Sequence, residues 1–107
     1  GKPNPDPYLM GLRKTGNYEP WQGIVVENAP LGVRAGSAAN IFTVGINSGP
    51  LPDSALSDNG ANIVLQRMTE LCDLWGEILA ARNWYKVSCI SFPLCAADFF
   101  YKNDKSP

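Results

Sequence analysis

The 107-residue sequence contains no histidine, and this absence removes several kinds of site at once. Without an imidazole there can be no Ser-His-Asp or Cys-His catalytic group and no histidine-containing zinc site. The sequence also lacks an excess of either charge, because 9 Lys and Arg residues against 10 Asp and Glu residues give a net charge of −1. Nucleic acid and anionic membranes are therefore not expected as partners.

Long apolar runs and paired cysteines are missing as well. No run approaches the roughly 18 residues that a membrane-spanning helix needs, and the first residues, GKPNPDP, do not resemble a signal peptide. The cysteines, Cys72, Cys89 and Cys95, are an odd number without Cys-x-x-Cys spacing, which favours a reducing cytoplasm. Cys72 is expected to be a small buried hydrophobic residue. With 45% hydrophobic residues, the chain has the composition of one small globular domain.

Hydrophobic periodicity predicts helices and strands in alternation. In chain order, the pattern predicts a helix over residues 5–15, a strand over 22–26, a helix from Pro30 to Asn40, a strand over 41–46, a helix over 54–59 and a strand over 62–65. Because strands alternate with helices, the predicted fold class is α/β, a parallel sheet with helices on its faces. Consecutive apolar residues at positions 24–26 are typical of a strand that is covered on both faces.

A last amphipathic helix is predicted from apolar residues at helical spacing, namely Met68, Leu71, Cys72, Trp75, Ile78 and Leu79. Trp75 lies on this apolar stripe and is predicted to be in the core.

The composition changes near Trp84 and becomes rich in aromatic residues. Within that region VSCISF, residues 87–92, is predicted as a strand.

A lysine stands near the start of the chain, in the hexapeptide GKPNPD. Pro3 and Pro5 restrict the backbone on its C-terminal side, so the Lys2 ammonium has few directions in which to point. A compact point charge held in this way suits a phosphate or a group of crowded carboxylates. Taken alone, the hexapeptide favours the other interpretation, a solvated lysine in a flexible terminus.

Glu27 and Asn28 directly follow the first predicted strand, in the stretch VVENAPLG. Ligands of open parallel sheets bind beyond the carboxyl ends of the strands. A carboxylate and an amide oxygen both suit Mg²⁺, which commonly keeps water molecules and phosphate oxygens as further ligands. The alternative is helix capping, in which Asn28 caps the helix that begins at Pro30 and Glu27 favours its positive N-terminus. Taken alone, the pair slightly favours capping, and the two roles can coexist.

Together and in this order, the segment around Lys2 and the segment around Glu27 resemble motifs of a known family. GKPNPDPYL followed by VVENAPLGVRAGSAANIFTVGINSGPL is similar to the third and fourth motifs of the haloacid dehalogenase-like (HAD) hydrolases, in the branch of β-phosphoglucomutase-like phosphatases. The likeness runs from Gly1 to about Ala81 and includes GANIVLQRMTEL, which resembles the last core strand and helix of that family. It implies a partial HAD-like Rossmannoid core of three short parallel strands over residues 1–83. Residues 84–107 form a tail without family resemblance.

The resemblance also implies roles for single residues. Lys2 matches the lysine that stabilises an aspartyl nucleophile and the transferring phosphoryl group. Glu27 matches the acidic residue that helps to hold Mg²⁺, and Asn28 stands where many members carry an Asp ligand. The implied activity is Mg²⁺-dependent phosphatase or sugar-phosphate mutase chemistry through an aspartyl-phosphate, acting on a small phosphorylated metabolite.

The largest departure from the family is the Asp-x-Asp motif of the first strand, because no such triplet occurs in this sequence. The resemblance therefore implies a C-terminal piece of such a hydrolase, inactive alone. In the resembled fold the nucleophile strand pairs with the strand that precedes ENAPLG, so that strand is expected to expose an unpaired edge and an uncovered apolar face. The sequence tail or a second copy of the chain is expected to cover this surface. The alternative function is that of a non-catalytic module that acts in oligomeric assembly through this edge.

Overall fold

A computed structural model of the chain describes the backbone of residues 2–91 and the side chains of residues 2–84. Its strands are β1 (Ile24–Glu27), β2 (Phe42–Ile46) and β3 (Ile63–Leu65). Its helices are α1 (Asp6–Gly16), α2 (Pro30–Ala38), α3 (Ser54–Ser57), α4 (Thr69–Asp73) and α5 (Trp75–Ser91), with one 3₁₀ turn at Pro20–Gln22. The three strands are parallel and lie in the order β1-β2-β3. The predicted α/β class with three short parallel strands is confirmed.

The central strand β2 is buried along its whole length because helices cover both faces of the sheet. On one face, Phe42, Val44 and Ile46 pack with residues of β3 and with Ile78 and Ala81 of α5. Alternate residues of a strand point to opposite faces, so the residues between them face α2 and α3. On that side Val33 of α2 and Leu56 of α3 form a second cluster. The consecutive apolar residues of the sequence are thus explained by burial on two faces.

Strand β1 lies at the edge of the sheet. Among the described residues it pairs only with β2, with Ile24 opposite Phe42 and Glu27 opposite Gly45. Val26 on this strand is 36% exposed although it is a large apolar residue. The expectation of an unpaired edge is met within the described part of the chain.

The predicted strand bounds are shifted at β1. Gln22 belongs to the 3₁₀ turn that Pro20 opens, and Glu27 is the last strand residue rather than the first residue after the strand. Proline presets the backbone angle of a turn, which removes the first predicted positions from the strand. The consequence is that the Glu27 carboxylate is anchored by the sheet itself.

The last predicted helix is broken in two, and this break overturns two side-chain predictions. Leu74 leaves the helical region (φ −106°, ψ 12°) and separates α4 from α5. The break changes the phase of the helix, so only part of the predicted stripe, including Leu71 and Ile78, contacts the core. Trp75 is 43% exposed and Cys72 is also exposed, whereas Leu74 packs against the core beside Leu71.

The predicted strand at VSCISF is wrong for residues 87–91, which continue α5 as a helix. No proline or glycine interrupts the chain between residue 77 and Pro93, so nothing in the sequence stops the helix there. Phe92 and the following residues, and with them most of the predicted tail, lie outside the described residues. None of the described helices is both long and apolar enough to cross a membrane.

A carboxylate cluster at the end of the first strand

The carboxyl end of the sheet forms a cleft of about 400 Å³. Its lining combines apolar side chains of the sheet face with polar groups that follow the strands: Val26, Glu27, Asn28, Ile46, Ser48 and Met68. Because β1 and β2 are parallel, their carboxyl ends open on the same side. The structure therefore brings Glu27 and Asn28, which the sequence placed at this edge, together with Ser48 of the loop that follows β2.

Lys2 contacts Glu27 directly. The Lys2 Nζ atom lies 2.6 Å from Oε1 of Glu27, and the Lys2 side chain is 47% exposed while that of Glu27 is 12% exposed. Helix α1 makes this contact possible, because its residues Leu9 and Leu12 pack against the sheet and fix the segment that precedes the helix. The two residues are 25 positions apart in the chain, so the contact depends on the fold rather than on local sequence.

Tyr8 is a third member of this cluster, and sequence reasoning missed it. Its hydroxyl donates a hydrogen bond to the same Glu27 Oε1 atom that Lys2 contacts. The Lys2 ammonium also lies 5.9 Å from the centroid of the Tyr8 ring, within reach of a cation–π interaction. Tyr8 lies beside Leu9 in the first predicted helix, where an aromatic ring fits apolar packing, and nothing local in the sequence indicates the partner of its hydroxyl.

The start of α2 also contacts Glu27. The backbone N–H of Ala29 donates to the Glu27 carboxylate, as expected for an anion at a helix N-terminus. A methyl group at Gly32 would lie only 2.2 Å from the Glu27 carboxyl carbon, so glycine leaves the space that the carboxylate fills. The N-cap residue of α2 is Ala29, with no side-chain capping bond. Glu27 therefore places its negative charge at the N-terminus of α2, as the sequence suggested. The prediction that Asn28 caps this helix is wrong.

These contacts set the charge state of the cluster. Partial burial acts to raise the pKa of the Glu27 carboxyl, but the hydrogen bonds from Lys2 and Tyr8 outweigh it and hold this pKa below 4.5. The hydrogen bond to Glu27 raises the pKa of the Lys2 ammonium above 10.5. Burial, followed by the hydrogen bond to Glu27, raises the pKa of Tyr8 to about 12. At neutral pH the cluster therefore holds one carboxylate, one ammonium and one neutral phenol.

A separate set of hydrogen bonds holds the loop that carries Ser48. The Asp53 carboxylate accepts bonds from Asn47 Nδ2 at 2.7 Å and from Gln66 Nε2 at 3.0 and 3.1 Å. These bonds hold the pKa of the Asp53 carboxyl below 3.8. Asn47 Nδ2 also donates to the Leu51 carbonyl at 2.8 Å. The segments that follow β2 and β3 are therefore tied together at the rim of the cleft.

Known proteins share this arrangement of strands and helices. A chain assigned as a β-phosphoglucomutase of Bacteroides vulgatus superposes with a TM-score of 0.68 at 50% identity, over 77% of this chain and 33% of that one. A HAD family hydrolase of Deinococcus radiodurans R1, solved with bound phosphate and sodium, superposes with a TM-score of 0.64 at 33% identity, over 73% and 35%. This chain belongs to the haloacid dehalogenase-like superfamily.

A curated relative agrees with this HAD-like assignment. Hexitol phosphatase A of Escherichia coli (strain K12) is 35% identical over 71 residues, which make up 66% of this chain and 31% of that protein. The HAD-like chain thus spans about a third of the length of the relatives that it matches. No protein-family model matches it.

The residues that line the HAD-like site carry the type of donor atom that a hard cation prefers. Glu27, Asn28 and Ser48 offer only oxygen ligands around the cleft, as Mg²⁺ prefers. Among the described residues no group of three or more acidic, cysteine or histidine side chains is placed to hold a metal. Residues 2–84 thus offer at most part of a coordination sphere.

Proposed function

We propose that these residues form part of the active site of a Mg²⁺-dependent phosphatase or sugar-phosphate mutase that works through an aspartyl-phosphate. The observation that carries the proposal is the 2.6 Å contact between Lys2 Nζ and Glu27 Oε1 at the carboxyl end of β1. A lysine ammonium and a carboxylate at that end of a parallel sheet are the groups that phosphoryl transfer needs for charge stabilisation.

Lys2 is proposed to stabilise the negative charge of an aspartyl nucleophile and of the transferring phosphoryl group. Its side chain is nearly half exposed, so the ammonium can reach a ligand in the cleft as well as Glu27. The raised pKa keeps it charged throughout the neutral range. A fixed positive charge next to developing negative charge lowers the barrier without proton transfer.

Glu27 and Asn28 are proposed to hold part of the Mg²⁺ coordination sphere. The low pKa of Glu27 keeps it anionic, and the exposed Asn28 amide adds a neutral oxygen. When bound, the cation would neutralise phosphate charge and orient the phosphoryl group. An Asn in place of a carboxylate is expected to weaken metal binding without removing it.

The proposed substrate class is a small phosphorylated metabolite. The relative from Escherichia coli carries the name hexitol phosphatase, and the bound phosphate of the Deinococcus radiodurans structure shows that a related fold accepts this anion. The sequence has no Asp-x-Asp triplet to supply the nucleophile and the general acid. We therefore propose that this chain has no turnover by itself.

The test uses the full 107-residue chain in NMR titrations with inorganic phosphate and in a hydrolysis assay with p-nitrophenyl phosphate and Mg²⁺. Phosphate is expected to shift the signals of Lys2 and Glu27, and Lys2→Met is expected to abolish the shift of the Glu27 signals. Lys14→Met serves as the matched control, because Lys14 is an exposed lysine in the last turn of α1. Phosphate shifts of the Glu27 signals that survive in Lys2→Met would contradict the role of Lys2. Robust hydrolysis that Glu27→Ala abolishes would contradict the proposed lack of turnover.

A second candidate function is favoured by the exposed edge of β1. Val26 is an apolar residue on a strand whose outer edge pairs with no other described residue. Unpaired backbone groups beside an exposed apolar side chain form a surface on which another strand can add. This observation favours a role in assembly through the edge, including the formation of homo-oligomers.

A further inference from the structure

Tyr8 has two environments, one for its ring and one for its hydroxyl. The ring packs with the cluster of Val25, Ala39 and Ile41 together with Leu9 and Leu12. The hydroxyl leaves this apolar surface and donates to Glu27 Oε1. A ring wedged between α1 and the sheet has little freedom, so its hydroxyl stays at a fixed position relative to β1.

Lys2 contacts the same oxygen in a different way. Its ammonium is carried by a flexible four-carbon stem in the segment before α1, and its side chain is nearly half exposed. Lys2 can therefore leave Glu27 for another anion in the cleft at little packing cost. Tyr8 cannot follow, because its ring is held by the apolar cluster.

We propose that Tyr8 is a positioning residue that keeps the Glu27 carboxylate in place while Lys2 changes partner from Glu27 to a phosphoryl group. This inference rests on the proposed function, because that function gives Lys2 a second anionic partner and gives Glu27 a metal ion. Tyr8 lies within the stretch GKPNPDPYL, but the family resemblance assigns it no role. Its contact with Glu27 Oε1 carries the inference.

The chemistry of the phenol suits this role. A neutral O–H donor satisfies one lone pair of Glu27 Oε1 and adds no positive charge that would repel a cation. The remaining acceptor sites of the carboxylate stay open to a metal ion. Groups that hold a ligating carboxylate in this way typically change metal affinity by about 10-fold or more when they are removed.

The first measurement needs neither metal nor phosphate. Lys2→Met imitates the departure of the ammonium, and NMR scalar couplings of labelled glutamate report whether Glu27 keeps one rotamer. We expect a single rotamer in Lys2→Met and an averaged one in the double variant Lys2→Met/Tyr8→Phe, since phenylalanine keeps the ring packing but lacks the donor. An averaged rotamer already in Lys2→Met, or a fixed rotamer in the double variant, would overturn the inference.

The second measurement follows Mn²⁺ binding by electron paramagnetic resonance in the full chain. Tyr8→Phe is expected to weaken Mn²⁺ binding about 10-fold, whereas Tyr18→Phe, a control at an exposed tyrosine, is expected to leave it unchanged. If Glu27→Gln weakens Mn²⁺ binding while Tyr8→Phe does not, the role of Tyr8 is refuted. If Glu27→Gln has no effect, the metal assignment of the proposed function fails, and the rotamer measurement decides the role of Tyr8 by itself.

Discussion

Glu27 is the residue on which the N-terminal segment, α1, β1 and α2 converge. Lys2 and Tyr8 contact its Oε1 atom, and the N–H of Ala29 supports the carboxylate from the start of α2. These partners come from the N-terminal segment, from α1 and from the start of α2. All three must be correctly packed for the carboxylate to have these contacts. A carboxylate with this many donors is held ionised and has a defined direction.

A pair of glycine substitutions tests how tightly this carboxylate is held. Alanine in place of a helical glycine normally stabilises a protein by about 0.5–1 kcal/mol. Gly11 in α1 has open space where a methyl group would go, so Gly11→Ala is expected to show this gain in urea unfolding. At Gly32 in α2 the methyl group would lie 2.2 Å from the Glu27 carboxyl carbon. Gly32→Ala is expected to lose the gain, because the Glu27 side chain must move away from Lys2 and Tyr8.

The NMR signals of Lys2 and Glu27 distinguish this cause from a general packing defect. They are expected to shift in Gly32→Ala and to stay in place in Gly11→Ala. If Gly32→Ala were as stabilising as Gly11→Ala, with both signals unmoved, the carboxylate would not occupy the space beside Gly32.

At the residue scale, the sequence singled out polar residues that directly follow a strand and a lysine to which the family resemblance gives a role. Lys2, Glu27 and Asn28 were named in this way, and Tyr8 was not, although it lies in the same stretch GKPNPDPYL as Lys2. The hydroxyl of Tyr8 reaches Glu27 only because α1 docks on β1, and a pattern of apolar spacing contains no information about that docking. Trp75 was misjudged for a related reason, since one non-helical residue, Leu74, rotates everything that follows it.

At the scale of whole elements, the type and order of the strands and of the first three helices were predictable, and their ends were less so. Turn residues explain the better cases: Pro30 begins α2, and Asn40 follows it with a positive φ of 59°. The break between α4 and α5 has no comparable signal, because Leu74 is a good helix former. The loops were the least predictable part, since Asp53, Asn47 and Gln66 meet only after β2 and β3 have paired.

The loop after β2 offers a test of what these hydrogen bonds do. Asp53→Ala removes the acceptor for Asn47 and Gln66 and is expected to speed hydrogen exchange of the loop amides between residues 47 and 52, namely those of Ser48, Gly49 and Leu51, because the loop loses its tie to the segment after β3. Exchange in β2 and β3 is expected to stay slow, since their amides are protected by the sheet. Asp58→Ala is the control, an exposed aspartate at the end of α3. Equal exchange of the loop amides in the two variants would show that the Asp53 bonds do not order the loop.

For the molecule as a whole, helices cover the faces of the sheet, while both outer strands, β1 and β3, pair only with β2 among the described residues. The edge at β1 is the one that carries an exposed large apolar residue, Val26. The burial of both faces could be predicted from the sequence, because a run of apolar residues such as that of β2 requires helices on both sides of the sheet. The open edge was expected only from the family resemblance, since no local pattern tells which strand lies outermost. Sheets of few strands gain little stability per residue, so an edge with an exposed apolar side chain has a strong tendency to find a partner.

This tendency gives a prediction for the solution state of the chain. Light scattering is expected to give a mass above that of the 11.6 kDa monomer, rising with concentration, because strands of two copies can pair along β1. Val26→Lys places a charge on this edge and is expected to lower the mass towards the monomer. Met10→Lys, a change at another exposed apolar residue on α1, is expected to leave the mass unchanged. A concentration-independent monomer in the wild-type chain would exclude assembly through β1, and an equal effect of both lysines would point to a surface other than this edge.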